Sequence, residues 1–246
     1  MGSDRKCALI PGGARGIGRA VAIALARDGW NVAITYRKSV DDAESLVREI
    51  TAIGGRAETY VCDVSVATAA AAIVAEAEKS LGRIDALVNT FGPYHRVALL
   101  DETVEGWHEM FDHNLHPIFY LARAVAPGMK QRGWGRIVNF SMANADQLIG
   151  QTHVTAHYIA KVGVLVLTRS LAKTLAPHGI TANAVSPGFI DSGSAPSGEL
   201  NKMLKTIPAG AIGTVDDAVG AVRYLLSDAA AYVNGTNIHV SGAWGV

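Results

Sequence analysis

Cysteine is scarce in this chain, only 2 in 246 residues, which excludes a disulfide framework as the source of its stability. Cys7 and Cys62 each sit in an apolar run of strand type and read as small core residues in a reducing compartment. Net charge is missing too. The 22 Lys and Arg cancel 22 Asp and Glu, and no Lys/Arg cluster makes up the deficit locally, so nothing draws the chain to nucleic acid or anionic lipid. No apolar run approaches the roughly 18 residues of a membrane span. The start, Met1 to Lys6, carries neither a secretory h-region nor a myristoylation pattern. These absences predict a cytoplasmic protein with no nucleic-acid or membrane partner. HExxH, paired cysteines and GxSxG are absent as well. His108, His113 and His116, read as one apolar helix, are therefore not taken as metal ligands, and no metal is expected. Trp107, Trp134 and the Phe119/Tyr120 pair are read as core or subunit-interface residues rather than as a base-stacking platform.

What is present is an alternation. With 49% apolar residues, the chain can bury a sizeable core, and one domain over 1–246 is the economical reading. Strand-type runs fall at Lys6 to Ile10, Asn31 to Tyr36, Ala57 to Cys62, Ala86 to Asn89, Arg136 to Phe140, Thr181 to Val185 and Asn237 to Val240. Helical runs between them include Gly16 to Asp28, Asp41 to Ile53 and Val66 to Leu81, stopped by Gly29, Gly54 and Gly82. This predicts an α/β fold: one doubly wound, Rossmann-type, seven-stranded and mainly parallel sheet with helices on both faces. Pro187 to Gly213 is rich in Gly, Ser and Pro and reads as a substrate loop. Its charges, Asp191, Glu199, Lys202 and Lys205, do not choose between a free acid and a carrier-borne substrate.

Directly after the first strand comes Pro11-Gly12-Gly13-Ala14-Arg15-Gly16-Ile17-Gly18. Gly12, Gly16 and Gly18 stand where a pyrophosphate turn needs residues without Cβ atoms, and the helix N-terminus that follows faces the phosphates. A dinucleotide is the expected ligand. An acid at the end of the second strand would accept from the ribose of NAD and repel a 2′-phosphate. That end reads Thr35-Tyr36-Arg37-Lys38, so Arg37, with Arg15 close by, favours NADPH (NADP+). The alternative is that Arg37 and Lys38 are solvated loop charges.

The Gly12-x-x-x-Gly16-x-Gly18 spacing, Asn89-Thr90-Phe91-Gly92 and the late Lys161 together resemble the short-chain dehydrogenase/reductase family over essentially the whole chain. The resemblance implies that Asp63 and Val64 hold the adenine and that Asn89 and Gly92 lie beside the nucleotide. By the same likeness Pro187, Gly188, Phe189 and Ile190 face the nicotinamide, and Ser192 takes the place of a usual Thr. Pro11, Thr90 and Phe91 depart from the family pattern. Within the family the similarity is to 3-oxoacyl-(acyl-carrier-protein) reductases, with pteridine reductases second, and it implies a homotetramer acting on a small or acyl-carrier-borne substrate. A non-catalytic NADP-binding homologue, a sensor or scaffold, is the other reading.

The family reduces carbonyls with Ser, Tyr and Lys, the Tyr four residues before the Lys, and an Asn from an earlier helix. Here Asn114 matches that Asn, but His157 stands four residues before Lys161 and Tyr158 three before. Positions four and three back lie about 40° and about 60° to opposite sides on a helix, so either His157 or Tyr158 can share the face of Lys161 as proton donor. Met142 falls where the family has its catalytic Ser, with Ser141 one residue away. Strand alternation points neighbours to opposite faces, so Ser141 serves only if the strand ends or bulges there.

Overall fold

A computed structural model describes residues 5–193 and 202–246. Every strand expected above is found, within a residue or two of its predicted ends. They are β1 (Cys7–Pro11), β2 (Asn31–Tyr36), β3 (Arg56–Val61), β4 (Ala86–Asn89), β5 (Gly135–Phe140) and β6 (Ile180–Pro187). A two-residue pair, β7 (Ile190–Asp191) and β8 (Gly213–Thr214), comes next, and β9 (Asn237–Val240) ends the series. The seven long strands form one sheet in the order β3-β2-β1-β4-β5-β6-β9, with every pairing parallel. The chain order reverses between β1 and β4, and a crevice opens there at the carboxyl ends of the strands.

The helices cover both faces, as a parallel sheet buried on each side requires. α1 (Gly16–Arg27), α2 (Val40–Ala52) and α7 (Val215–Leu226) cover one. There Val21, Leu25, Leu46, Ile50, Val222 and Leu225 are buried against Ile10, Ile34 and Val88. On the other lie α3 (Ala67–Leu81), α5 (His116–Arg132) and α6 (Thr155–Leu175). They bury Ala70, Val74, Leu121, Val125 and Leu175 against Leu9, Leu87 and Ile137. The remaining helix, α4 (Val104–Asn114), carries Asn114 at its last residue.

Two expectations need correction. His108, His113 and His116 do not share one helix: Leu115 (φ −113°, ψ −53°) separates α4 from α5. Pro117 causes the break, because it has no N–H to offer to the carbonyl of His113 and disfavours α geometry at the residue before it. The β7–β8 pair was also not expected. Its register, Ile190 with Gly213 and Asp191 with Thr214, ties together the two ends of the Pro187 to Gly213 segment. Residues 194–201, including Glu199, lie outside the described residues.

Candidate active site

The phosphate end is built from backbone. β1 runs into a turn in which Gly12 (φ 76°) donates its N–H to Thr35 O at 3.0 Å and Gly13 donates to Ile10 O at 3.1 Å. A Cβ on Gly12 would come 3.1 Å from Phe91 Cβ, and one on Gly18 would collide with Thr90 Oγ1 and with Gly12 O at 2.9 Å. Gly18 therefore lets α1 close onto the turn, while the Ile17 side chain packs into the core below. No side chain caps α1 and no acid occupies its first turn, so its N–H groups remain available to an anion. Ser192 reaches this turn from the far side: its Cβ lies 3.4 Å from where a Gly16 Cβ would stand.

From here a cleft of about 350 Å³ runs along the strand ends, with Arg15, Arg37, Lys38, Asp63, Val64 and Gly92 in its lining. Asp63 Oδ1 accepts from both the N–H and the hydroxyl of Ser65, and Asp63 Oδ2 lies 3.5 Å from Arg37 Nη1. Partial burial pushes its carboxyl up, but these partners outweigh it and hold the pKa below the usual carboxylate range. Asn89 is turned toward the sheet, where its Nδ2 donates to Asn139 Oδ1 at 2.7 Å. Pro187 and Gly188 continue β6 to the cleft; a Cβ on Gly188 would come 2.9 Å from Ser241 Cα, and Ile190 starts β7.

At the inner end, three elements meet. A Cβ on Gly92 would collide with Asn114 Oδ1 and stand 3.3 Å from Lys161 Nζ. Asn114 Nδ2 donates to Met110 O and Pro93 O, while its buried Oδ1 has no protein partner. Lys161 Nζ donates to Phe140 O at 3.1 Å, and burial pushes its ammonium down to about 8. His157 Nδ1 lies 3.2 Å from Pro93 O, and its ring meets Tyr94 edge-on at 5.4 Å. Burial, then the charge of Lys161, pushes its imidazole down to about 3. A carbonyl oxygen only accepts, so Nδ1 carries the hydrogen and Nε2 the lone pair. Two loops wall this end: Val97 and Leu99 donate their N–H groups to His153 O and Thr152 O.

A glycine-cradled anion site, a basic cleft and a buried Lys–Asn pair on a sheet of this order match known proteins over nearly the whole chain. The family model described as enoyl-(acyl carrier protein) reductase matches residues 12–244. The 3-oxoacyl-(acyl-carrier-protein) reductase FabG of Staphylococcus aureus is 39% identical, covering 96% of this chain and 97% of its own length. A 3-oxoacyl-(acyl-carrier-protein) reductase of Synechocystis is 36% identical over 96% of this chain and 95% of that protein. A solved Sinorhizobium meliloti structure, described as a short-chain alcohol dehydrogenase, superposes with a TM-score of 0.91 at 31% identity, covering 99% of this chain and 97% of that one. This chain belongs to the short-chain dehydrogenase/reductase family.

Against the family's Ser-Tyr-Lys pattern the departures now have positions. β5 ends at Phe140, as a role for Ser141 requires, but the Ser141 hydroxyl donates to Lys161 O at 2.8 Å and is buried. Met142 packs against Ala145, Leu165 and Ala184. Tyr158 lies in a regular first turn of α6, its N–H bonded to Val154 O. Its phenol donates to Asn144 O at 2.9 Å and accepts from Ile149 N at 3.1 Å. Of the two candidate proton donors, therefore, only the His157 ring borders Pro93 and Tyr94 at the cleft. Residues not anticipated here include His113, whose Nε2 lies 2.9 Å from Arg37 Nη1. Its one sequence signal was adjacency to Asn114.

Proposed function

We propose that this chain is an NADPH-dependent reductase of a carbonyl group, of the 3-oxoacyl type, acting on a small or carrier-borne acyl substrate. The observation that carries the reading is the meeting of Gly92, Asn114 and Lys161 at one end of a cleft whose other end offers Arg15, Arg37 and Lys38. The cradle fits the cofactor: positions that a Cβ would close are glycine, and the α1 N-terminus is uncapped. Gly12, Gly16, Gly18 and Ser192 would hold the pyrophosphate, Asp63 and Val64 the adenine, Arg37 the 2′-phosphate and Lys161 the nicotinamide ribose. Bound there, NADPH supplies the hydride.

The chain's own residues then handle the proton. Lys161, with a pKa near 8, still holds its proton at neutral pH and brings a positive charge to the inner end. It neutralises the oxyanion formed on hydride arrival and donates the proton that completes the alcohol. His157, neutral at this pH with Nδ1–H committed to Pro93, accepts the new hydroxyl's hydrogen bond at Nε2 and orients the product. Asn114 keeps its unpartnered Oδ1 for a water or hydroxyl beside Lys161.

One observation favours a second reading. The Ser141 and Tyr158 hydroxyls are both committed to internal hydrogen bonds, which suits a cofactor-binding protein without turnover. NADPH oxidation against 3-oxoacyl thioesters, dihydropterins and simple ketones, with NADPH affinity measured alongside, separates the two. Turnover on a thioester supports the reductase; tight NADPH binding with no turnover on any of the panel supports the non-catalytic form. Exposed Phe119, Ile159 and Val166 on α5 and α6 support the homotetramer. The unpaired, buried Cys7 and Cys62 support a cytoplasmic setting.

A further inference from the structure

Arg37 leaves the end of β2 and reaches across the cleft toward α4, a contact spanning 76 residues of sequence. One nitrogen, Nη1, lies 2.9 Å from His113 Nε2 and 3.5 Å from Asp63 Oδ2. The other edge of the guanidinium, Nε and Nη2, has no hydrogen-bond partner among the described residues. His113 is itself fixed. Its Nδ1 lies 3.1 Å from Glu109 O, one turn back on α4, and since a carbonyl only accepts, Nδ1 carries the hydrogen. That leaves Nε2 as the acceptor for Arg37 Nη1–H. The break at Leu115, forced by Pro117, ends α4 just past His113 and so sets the ring at the cleft wall, whose lining includes both His113 and Pro117.

We propose that His113 determines cofactor specificity: its neutral imidazole anchors one edge of Arg37 and presents the other edge, two N–H groups in a fork, to the 2′-phosphate of NADP(H). This rests on the NADPH reading above and adds a residue to it. A half-exposed arginine loses side-chain freedom when it grips a phosphate, and an anchor in place before binding removes much of that loss. Asp63 Oδ2, 3.5 Å from the same Nη1, already draws on the charge of Arg37, and an imidazole at position 113 adds an anchor without adding a second carboxylate to repel the phosphate.

The test uses the full chain and two cofactor fragments, 2′,5′-ADP and 5′-AMP, which differ only in the 2′-phosphate, with affinities read by calorimetry. Wild type should bind 2′,5′-ADP more tightly than 5′-AMP. In His113→Phe that preference should shrink by about tenfold, entirely through weaker 2′,5′-ADP binding. His113→Gln, whose side-chain oxygen can also accept from Arg37, should keep most of it. A wild-type preference that survives unchanged in His113→Phe overturns the proposal while leaving the NADPH reading intact. Equal weakening of both fragments also overturns it, since that marks general damage to the cleft. A wild type that binds both fragments alike overturns the NADPH reading and this proposal together.

Discussion

The two ends of the cleft are made of different material. At the proposed phosphate end the work falls to backbone: Gly12, Gly16 and Gly18 matter for the side chains they lack, and the uncapped start of α1 leaves its N–H groups available to an anion. At the inner end the work falls to the tips of side chains, and there a hydroxyl can be redirected with little disturbance to packing. Tyr158 is buried and Ser141 directly follows the end of β5, yet each hydroxyl bonds to the protein itself. Packing and chemistry thus separate at the inner end and cannot separate at the other, because in a glycine turn the packing is the binding site.

Lys161, at the inner end, is proposed both to hold the cofactor and to supply the proton, so its removal is the hardest test of that contrast. Lys161→Ala should lower kcat/KM for NADPH oxidation by about 10³-fold and also weaken NADPH binding. In wild type, kcat/KM should fall as pH rises through about 8, where burial has moved the ammonium's titration. A flat profile from pH 6 to 10 would remove Lys161 as the proton source and favour the non-catalytic reading.

His157 sharpens the comparison through stability. Its folded pKa, about 3, lies below the ordinary histidine value of 6.5, so the folded state resists protonation and the unfolded state takes up the proton first. Stability is therefore lost as pH falls from 6.5 toward 3 and is unaffected by this group above 6.5. Between pH 7 and pH 4 the loss from this one ring is about 3 kcal/mol. Urea unfolding at both pH values should show wild type losing about that much more than His157→Phe. Equal losses would mean that the ring is solvated and cannot serve as a neutral acceptor.

The contrast also explains what the sequence disclosed. The sheet was legible because each strand is a short β-branched or small-residue run ended by glycine or polar residues, as at Asn31 to Tyr36 and Ala86 to Asn89. The glycine turn was legible because a conformational need writes itself as glycine. The side-chain tips were not. Nothing local to Tyr158 reveals that its phenol bonds to Asn144 and Ile149, since that depends on how residues 144–149 fold back. The contact between Arg37 and His113 likewise joins two elements far apart in sequence. The split at Leu115 has a sequence signal in Pro117, whose missing N–H removes the helical bond to His113 O, although Pro127 sits inside α5 without ending it.

At the phosphate end a smaller loss is expected. Arg37→Ala should weaken NADPH binding by about 30-fold while changing NADH binding little, because the charge-assisted fork proposed for it meets the 2′-phosphate alone. Equal effects on the two cofactors would reduce Arg37 to a solvated loop charge and erase the specificity assigned to that end.

Tyr158→Phe is expected to have the smallest effect, and it probes the separation of packing from chemistry most directly. The phenol's hydrogen goes to Asn144 O and its oxygen accepts from Ile149 N, so removing the hydroxyl leaves a buried carbonyl and an N–H short of a partner while the ring stays in place. Each bond contributes about 1 kcal/mol, and partial rescue by water in the adjoining loop sets the net loss at about 1 kcal/mol. Urea unfolding of Tyr158→Phe should show that loss, with kcat/KM for NADPH oxidation within about twofold of wild type. If kcat/KM instead falls by two orders of magnitude at unchanged stability, the phenol leaves Asn144 during turnover to act as the acid. Chemistry at the inner end would then have been kept by movement of a residue, and Lys161 would act by lowering the pKa of that acid.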